Sequence, residues 1–392
     1  MTTVKHAGRI YLDHAATTPV APEVFRAMDP YFCTLFGNPS SSHSFGRDAK
    51  SAIESSRGAV SSLIGAKPSE IVFTSSATES NNTVLKGVAA SLRGRGNHIL
   101  TTAIEHRSVL DTCAFLERDG FKITCLPVDS HGRVDPDDVK RAITSRTILI
   151  SVMHANNEIG TIQPIAEIGR IGREYGVPVH TDAVQSFGHL PVLVDELQVD
   201  YLSASAHKLY GPKGVGMLYV RSGSRIQPLL HGGAQENGLR ASTLNVSGII
   251  GFGAAVRLAR VSMLDEIALL TRLRLRLIEG LTNTIKKAFL NGHPVHRLPG
   301  NVHMSFPKAE GELMLRELDE EGIACSTSSA CSASRSGPSH VLTALHMPHS
   351  HVASSLRITL GRMTTEGEID RFIAVLQGIV RKVRALQEFD SF

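Results

Sequence analysis

Tryptophan is absent from the 392 residues, and aromatic residues make up only 5%. That scarcity argues against a stacking platform for single-stranded nucleic acid, which needs successive aromatic faces. An excess of one charge is also missing. Lys+Arg number 41 and Asp+Glu 37, leaving a net charge of +4. Spread along the chain, this gives no electrostatic footprint for nucleic acid or an anionic membrane. Cysteine is sparse. Five thiols, Cys33, Cys113, Cys125, Cys325 and Cys331, are too few for a disulfide framework in so long a chain. Their odd number fits a reducing compartment and leaves room for one working thiol. Long apolar runs are lacking as well. Stretches such as Ile148-Leu149-Ile150 are strand-sized, far from the ~20 residues of a membrane helix. The polar start, Met1 to Arg9, has no signal-peptide core. These absences predict a cytoplasmic protein with neither a membrane nor a nucleic-acid partner.

What remains is ordinary for a globular protein: 42% hydrophobic and 20% charged residues. The length suits a large domain with a smaller one, or two to three domains. From about residue 70 to 220, short β-rich runs alternate with helical stretches. The runs are 71–74, 98–101, 122–126, 147–152, 177–180, 201–203 and 216–220. Continuous short apolar runs predict strands covered on both faces, hence an α/β fold with a mostly parallel sheet. After Asn245 the pattern changes. Residues 246–287 lack proline, and Leu264, Ile267, Leu270, Leu273, Leu277, Leu281 and Ile285 recur at helical steps. Arg272, Arg274 and Arg276 fall between them and read as a solvated face. Beyond a turn at Asn291-Gly292-His293-Pro294, strands mix with helices at 311–320 and 365–387, which predicts a smaller α+β domain.

Chemistry gathers where the predicted strands end, which is where open α/β sheets bind ligands. Five ends carry useful groups: Ser75 to Ser80, Glu105-His106, His154 to Glu158, His180 to Gln185, and Ser203 to Lys208. Ser76-Ala77-Thr78 opens a helix. Its free N–H groups and hydroxyls suit a phosphate, or form an ordinary N-cap. Asp182 is placed either to pair with a protonated ring nitrogen or to cap the next helix. Lys208 is either a solvated charge or, if buried, a Schiff-base amine. No nucleotide-binding P-loop or dinucleotide fingerprint accompanies them. A phosphate seat, an acid and a lysine are the trio that pyridoxal phosphate needs. Among the thiols, Cys331 stands in the small-residue run 326–334, which reads as mobile and exposed. Cys325 reads as the buried end of a strand, and Cys33, Cys113 and Cys125 as packed among apolar neighbours. The 18 histidines show no convincing metal-ligand spacing. His349 and His351 come closest and read as a surface loop, so no metal is expected.

The ordered set of motifs resembles the cysteine desulfurases of the NifS/IscS type, within the fold-type I pyridoxal-phosphate enzymes. The likeness spans roughly residues 9–380. It is carried by Tyr11-Leu12-Asp13-His14-Ala15-Ala16-Thr17-Thr18-Pro19, Gly37-Asn38-Pro39-Ser40-Ser41-Ser42-His43, Ala77-Thr78-Glu79-Ser80-Asn81-Asn82 and Glu105-His106. It continues through Asn156-Asn157-Glu158-Ile159-Gly160, Asp182-Ala183-Val184-Gln185-Ser186, His207-Lys208-Leu209-Tyr210-Gly211-Pro212-Lys213-Gly214, Ser329-Ala330-Cys331 and Ser355-Leu356-Arg357-Ile358-Thr359-Leu360-Gly361.

The resemblance implies a role for each residue. Lys208 would hold the cofactor aldehyde covalently, and His106 would stack on the ring and assist proton transfers. Asp182 would keep the ring nitrogen protonated, and Gln185 and Asn157 would bond the ring oxygen, Asn157 also touching substrate. Ala77, Thr78, Ser205 and His207 would seat the phosphate. Thr243 would reach the phosphate in a neighbouring subunit, which implies a homodimer. Arg357 would grip the substrate carboxylate bidentately, and Cys331 would accept sulfur. The implied fold is a large cofactor domain, 16–262, and a small domain, 1–15 with 263–392, carrying the catalytic-cysteine loop at about 325–337. The implied reaction converts L-cysteine to L-alanine and leaves a persulfide for an acceptor protein, in iron–sulfur assembly or another thiolation pathway. A selenocysteine lyase, a β-lyase or aminotransferase, and a non-catalytic scaffold subunit are the alternatives.

Two positions depart from the family pattern. Arg240-Ala241-Ser242-Thr243 has serine where glycine is usual, and Thr327-Ser328 stands where a Ser-Gly pair is common. The chain ends at Glu388-Phe389-Asp390-Ser391-Phe392 without the histidine-containing tail of the scaffold-dependent members.

Overall fold

A computed structural model describes residues 8–327 and 337–389; Cys331 lies outside the described residues. Its strands, in chain order, are β1 (Ile10–Tyr11), β2 (Ile71–Thr74), β3 (His98–Thr102), β4 (Lys122–Leu126), β5 (Thr147–Ser151), β6 (Val179–Asp182), β7 (Tyr201–Ser205), β8 (Gly216–Val220), β9 (Phe289–Leu290), β10 (Asn301–Ser305), β11 (Ile323–Ala324) and β12 (Ser355–Thr359).

Seven of them form one sheet in the order β2-β8-β7-β6-β5-β3-β4. All neighbours pair in parallel except at β8, which runs antiparallel to both β2 and β7. The reversal follows from chain length. Residues 206–215 separate β7 from β8, too few for the crossover of a dozen or more that a parallel return needs. The other crossovers are helices, including Ala77–Leu92 between β2 and β3 and Arg107–Arg118 between β3 and β4.

The two faces of the sheet divide its strand residues by their period of two. Phe73, Leu100, Ile150, Leu202 and Met217 join one core with Ile53, Phe252 and Val256. Their neighbours Val72, Ile99, Leu149, Tyr201 and Leu218 join the other with Val84, Val88 and Val109. Burial on both faces explains why these strands read as continuous apolar runs rather than alternating ones.

A separate core gathers Ile10, Leu12, Leu273, Leu277, Met304, Ile358, Phe372 and Leu376. It sits on an antiparallel sheet of order β12-β10-β9, with β1 paired in parallel to β11. The helix Val246–Thr284 runs from the first core into this one, starting at an Asn245 cap whose side chain accepts the Gly248 N–H at 3.1 Å. By length and composition it is the one helix among the described residues that could cross a membrane. It packs against the helices Ser44–Leu63, Pro22–Met28 and Glu366–Phe389.

Three sequence expectations change here. Arg274 is buried, not solvated, and donates to the carbonyls of Arg297 and Leu298 at 3.3 and 3.0 Å. It lies one turn from Leu270 and beside Leu273, on the stripe the helix turns to the core. Cys33 and Cys125 are exposed, Cys33 ending a four-residue helix and Cys125 on the edge strand β4, which buries only Leu126. His349 and His351 stand in a short helix, His349–Val352, rather than a loop.

Candidate active site

Strand ends β2, β3, β5, β6 and β7 converge on one cavity of about 230 Å³. Its wall includes Ala77, Thr78, His106, Asn157, Asp182, Gln185, Ser205, His207 and Lys208. These are nine of the residues the sequence singled out, contributed by segments more than a hundred residues apart.

One end of the cavity is built for an anion. Ser76 leaves β2 extended and caps the helix Ala77–Leu92, its hydroxyl accepting the Glu79 N–H at 3.2 Å. First-turn N–H groups have no intrahelical acceptor, so those of Ala77 and Thr78 are free for a ligand at the positive end of the helix dipole. Ser205 and His207 line the same cavity. Strand β8 passes close behind. A Cβ at Gly216 would fall 2.7 Å from the Ser76 carbonyl carbon and 3.0 Å from Ala77 N. No larger residue leaves that cradle intact.

A buried hydrogen-bond chain runs from the acid to the imidazole. Asn81 Nδ2 donates to Asp182 Oδ2 at 2.7 Å and to Ser108 Oγ at 2.8 Å. Ser108 Oγ lies 2.8 Å from His106 Nδ1, which also accepts the Ser108 N–H at 3.1 Å. With Nδ1 accepting, the neutral ring carries its proton on Nε2. Burial lowers the His106 pKa and the nearby Lys208 charge adds to this, against a raising contribution from Asp182. Asp182 is also fixed by the Val184 N–H at 3.0 Å.

Lys208 Nζ donates to the carbonyls of Ala15 and Ala16 at 2.5 and 2.7 Å. Gln185 Nε2 donates to the same Ala15 carbonyl at 3.1 Å. The N-terminal segment thus closes the cavity from the side of the second core. His207 Nδ1 bonds Thr17 Oγ1 at 3.1 Å, and burial with Lys208 and Lys213 lowers its pKa to about 4, so it is neutral. His189 Nε2 donates to the Lys208 carbonyl at 2.8 Å, fixing the turn that carries the lysine.

Arg357, 1% exposed on β12, stands at the edge of this arrangement. Its Nη2 meets Asp13 Oδ1 at 2.9 Å, and its Nη1 donates to the Asn157 carbonyl at 3.3 Å. Thr243 is exposed and does not line the cavity of its own chain. Ser242 before it has φ +104°, a region that glycine adopts freely and L-residues rarely do.

Neither Asn81 nor Ser108 is among the candidate site residues of the sequence. Asn81 lies one helical turn after Thr78 and Ser108 two residues after His106, and those spacings are the only signals of the link. Nothing in the sequence marked the Ala15 and Ala16 carbonyls as partners of a lysine nearly two hundred residues away.

The chain matches the family model of class-V aminotransferases over residues 10–372. It is 53% identical over 380 residues to the cysteine desulfurase IscS of Dictyoglomus turgidum, covering 97% of this chain and 96% of that one. Against the cysteine desulfurase IscS of Methanosarcina thermophila the identity is 52%, covering 96% and 93%. Among solved structures it is similar to a NifS-like protein, with a TM-score of 0.90, 39% identity and coverage of 95% and 99%. It is also similar to SspA in complex with cysteine, with a TM-score of 0.80, 39% identity and coverage of 90% and 98%.

Proposed function

The chain belongs to the class-V aminotransferase family and to its cysteine desulfurases, and from that premise we propose how its residues take sulfur from L-cysteine and leave L-alanine. The observation that carries the reading is the single cavity that joins Lys208, Asp182 and His106 to the start of the helix Ala77–Leu92.

The donor set fits pyridoxal 5′-phosphate. Lys208 supplies the amine that holds it, Asp182 the carboxylate for its ring nitrogen, and Gln185 and Asn157 the contacts to its ring oxygen. Ala77, Thr78, Ser205 and His207 supply the phosphate seat, and Gly216 keeps that seat clear. When bound, the cofactor supplies an electron sink for charge developing at the substrate Cα. Asp182 would hold the proton on the ring nitrogen by charge, an electrostatic contribution made strong by burial. Lys208 Nζ and His106 Nε2 are the groups that take and return protons, and the Asn81–Ser108 chain fixes which nitrogen His106 offers. Arg357 binds the substrate carboxylate, where its planar fork matches two oxygens.

Cys331 is the sulfur acceptor. Its thiolate attacks the sulfur of the substrate, an S–S bond forms and the Cβ–S bond breaks. The electron pair of the broken bond stays with the carbon fragment, which is protonated and leaves as L-alanine. The persulfide on Cys331 then passes its sulfur to an acceptor protein, for iron–sulfur cluster assembly or another thiolation pathway.

Two features support a homodimer. Phe25, Phe32, Phe36 and Phe45 are each exposed, with Phe36 65% exposed and 5.7 Å from Phe45 between ring centroids. Surfaces of this kind mark association sites. Thr243 is exposed outside its own cavity and is free to serve that of a second copy. The separate cores support a cofactor domain, 16–262, and a small domain, 1–15 with 263–392, with Val341, Leu342 and Leu345 of the latter packing into the first core; the proposed location is the cytoplasm.

The test is Cys331→Ser. The purified variant is expected to keep the visible absorbance of the cofactor and to lose sulfide release and persulfide labelling. Full activity in that variant would overturn the role of Cys331.

A further inference from the structure

Glu79 stands in the first turn of the helix that presents Ala77 and Thr78 to the cavity. A carboxylate there favours the helix itself, because it meets the positive end of the dipole. Toward an anion seated at that same end it is repulsive. Burial acts to raise the Glu79 pKa, but hydrogen bonds from Arg240 and Ser75 outweigh it and hold the carboxyl below its ordinary value. The group is therefore an anion at neutral pH, and a phosphate seat beside it needs a compensating charge.

Arg240 provides one. Its Nε lies 2.9 Å from Glu79 Oε1 and its Nη2 3.5 Å from Oε2, while Ser75 N–H donates to Oε2 at 2.8 Å. The side chains are only 16% and 10% exposed, so salt screens the pair weakly. Arg240 also belongs to the segment that leads to Ser242 and Thr243. That segment has a second, independent anchor. Glu236 accepts from Arg57 Nη2 and Nη1 at 2.7 and 2.9 Å and from the Phe73 N–H at 2.6 Å. With this anchor holding the segment to β2, the Arg240 contact is not needed merely to tether it.

We propose that Arg240 is a positioning residue of the phosphate seat, neutralising Glu79 so that the start of the helix Ala77–Leu92 accepts the phosphate of the cofactor. This rests on the reading of the cavity as the pyridoxal-phosphate site.

The experiment uses the full chain, stripped of cofactor and titrated separately with pyridoxal phosphate and with pyridoxal, which lacks the phosphate. The dissociation constant of pyridoxal divided by that of pyridoxal phosphate isolates the phosphate contribution. Arg240→Gln is expected to lower that ratio about three- to tenfold with pyridoxal affinity unchanged. Removing both charges in Glu79→Gln/Arg240→Gln is expected to restore it. Glu79→Gln alone is expected to keep or raise the ratio, which gives a readout even if Arg240→Gln does not fold. An unchanged ratio in Arg240→Gln, a loss that the double variant does not restore, or a drop in Glu79→Gln would each overturn the proposal. A ratio near one in the unaltered chain would overturn the phosphate reading itself, and the proposal with it.

Discussion

Glu105 is wholly buried at the end of β3, where its Oε1 accepts the Met153 N–H at 2.8 Å and the Thr102 hydroxyl at 2.7 Å. Burial pushes its pKa up to about 8, against those two hydrogen bonds and with a further push from Asp182. The folded chain therefore holds a proton that the unfolded chain, near the ordinary value of 4.5, gives up. The stability this confers is complete below the unfolded value and is lost as pH rises toward about 8. Glu158, raised to about 7 by burial, acts in the same direction. His154 and His180, lowered by burial to about 4 and about 3, act oppositely, and their contribution is lost as pH falls through those values. Glu105→Gln is thus expected to lose less stability than the unaltered chain between about pH 5 and pH 8, by on the order of 1–3 kcal/mol. Urea unfolding across that range checks it, and equal pH slopes would contradict it. Residues like Glu105 mark the limit of reading a sequence. Lys208, Asp182 and His106 were legible because their types and strand-end positions fit one chemistry. Glu105 stood in the same motif, but its protonation depends on burial by distant segments.

At the scale of elements, strands with strong local signals were read nearly residue for residue, as were the helices Val246–Thr284 and Gly311–Glu320. The reversal of β8 was not read, because it depends on the length of the link rather than on the strand. The β1–β11 pairing was not read either, because it joins residues more than three hundred apart, and no local pattern encodes such a contact. Charge alone is no sign of exposure at Arg274, because backbone carbonyls satisfy it inside. The segment carrying Thr243 gave a sharper signal. Serine stands there in place of the family's glycine, and Ser242 has φ +104°, a region glycine adopts freely. Ser242→Gly should relieve strain of about 1 kcal/mol, after the added freedom of the unfolded chain is set against it. The expected outcome is a melting temperature about 1 °C higher. A lower melting temperature would show that the serine side chain is needed where it stands.

For the whole molecule, the sheet and the second core meet around one cavity, and the N-terminal segment ties them together through Ala15 and Ala16. A cavity closed by Ala15, with Thr243 exposed outside it, supports the proposed dimer. Replacing both Phe32 and Phe36 by serine is expected to shift the mass measured by light scattering from dimer to monomer and to weaken cofactor binding. A variant that stays dimeric, or an unaltered chain that is monomeric, would contradict this. The central claim is that sulfur leaves L-cysteine by way of one named thiol. Mass-spectrometric mapping of the cofactor-loaded protein after brief exposure to sulfur-labelled L-cysteine tests it most directly. The account predicts one labelled persulfide per chain, on Cys331, with Cys33, Cys113, Cys125 and Cys325 unlabelled; label on any of those four, or alanine formed with no protein-bound sulfur, would contradict it.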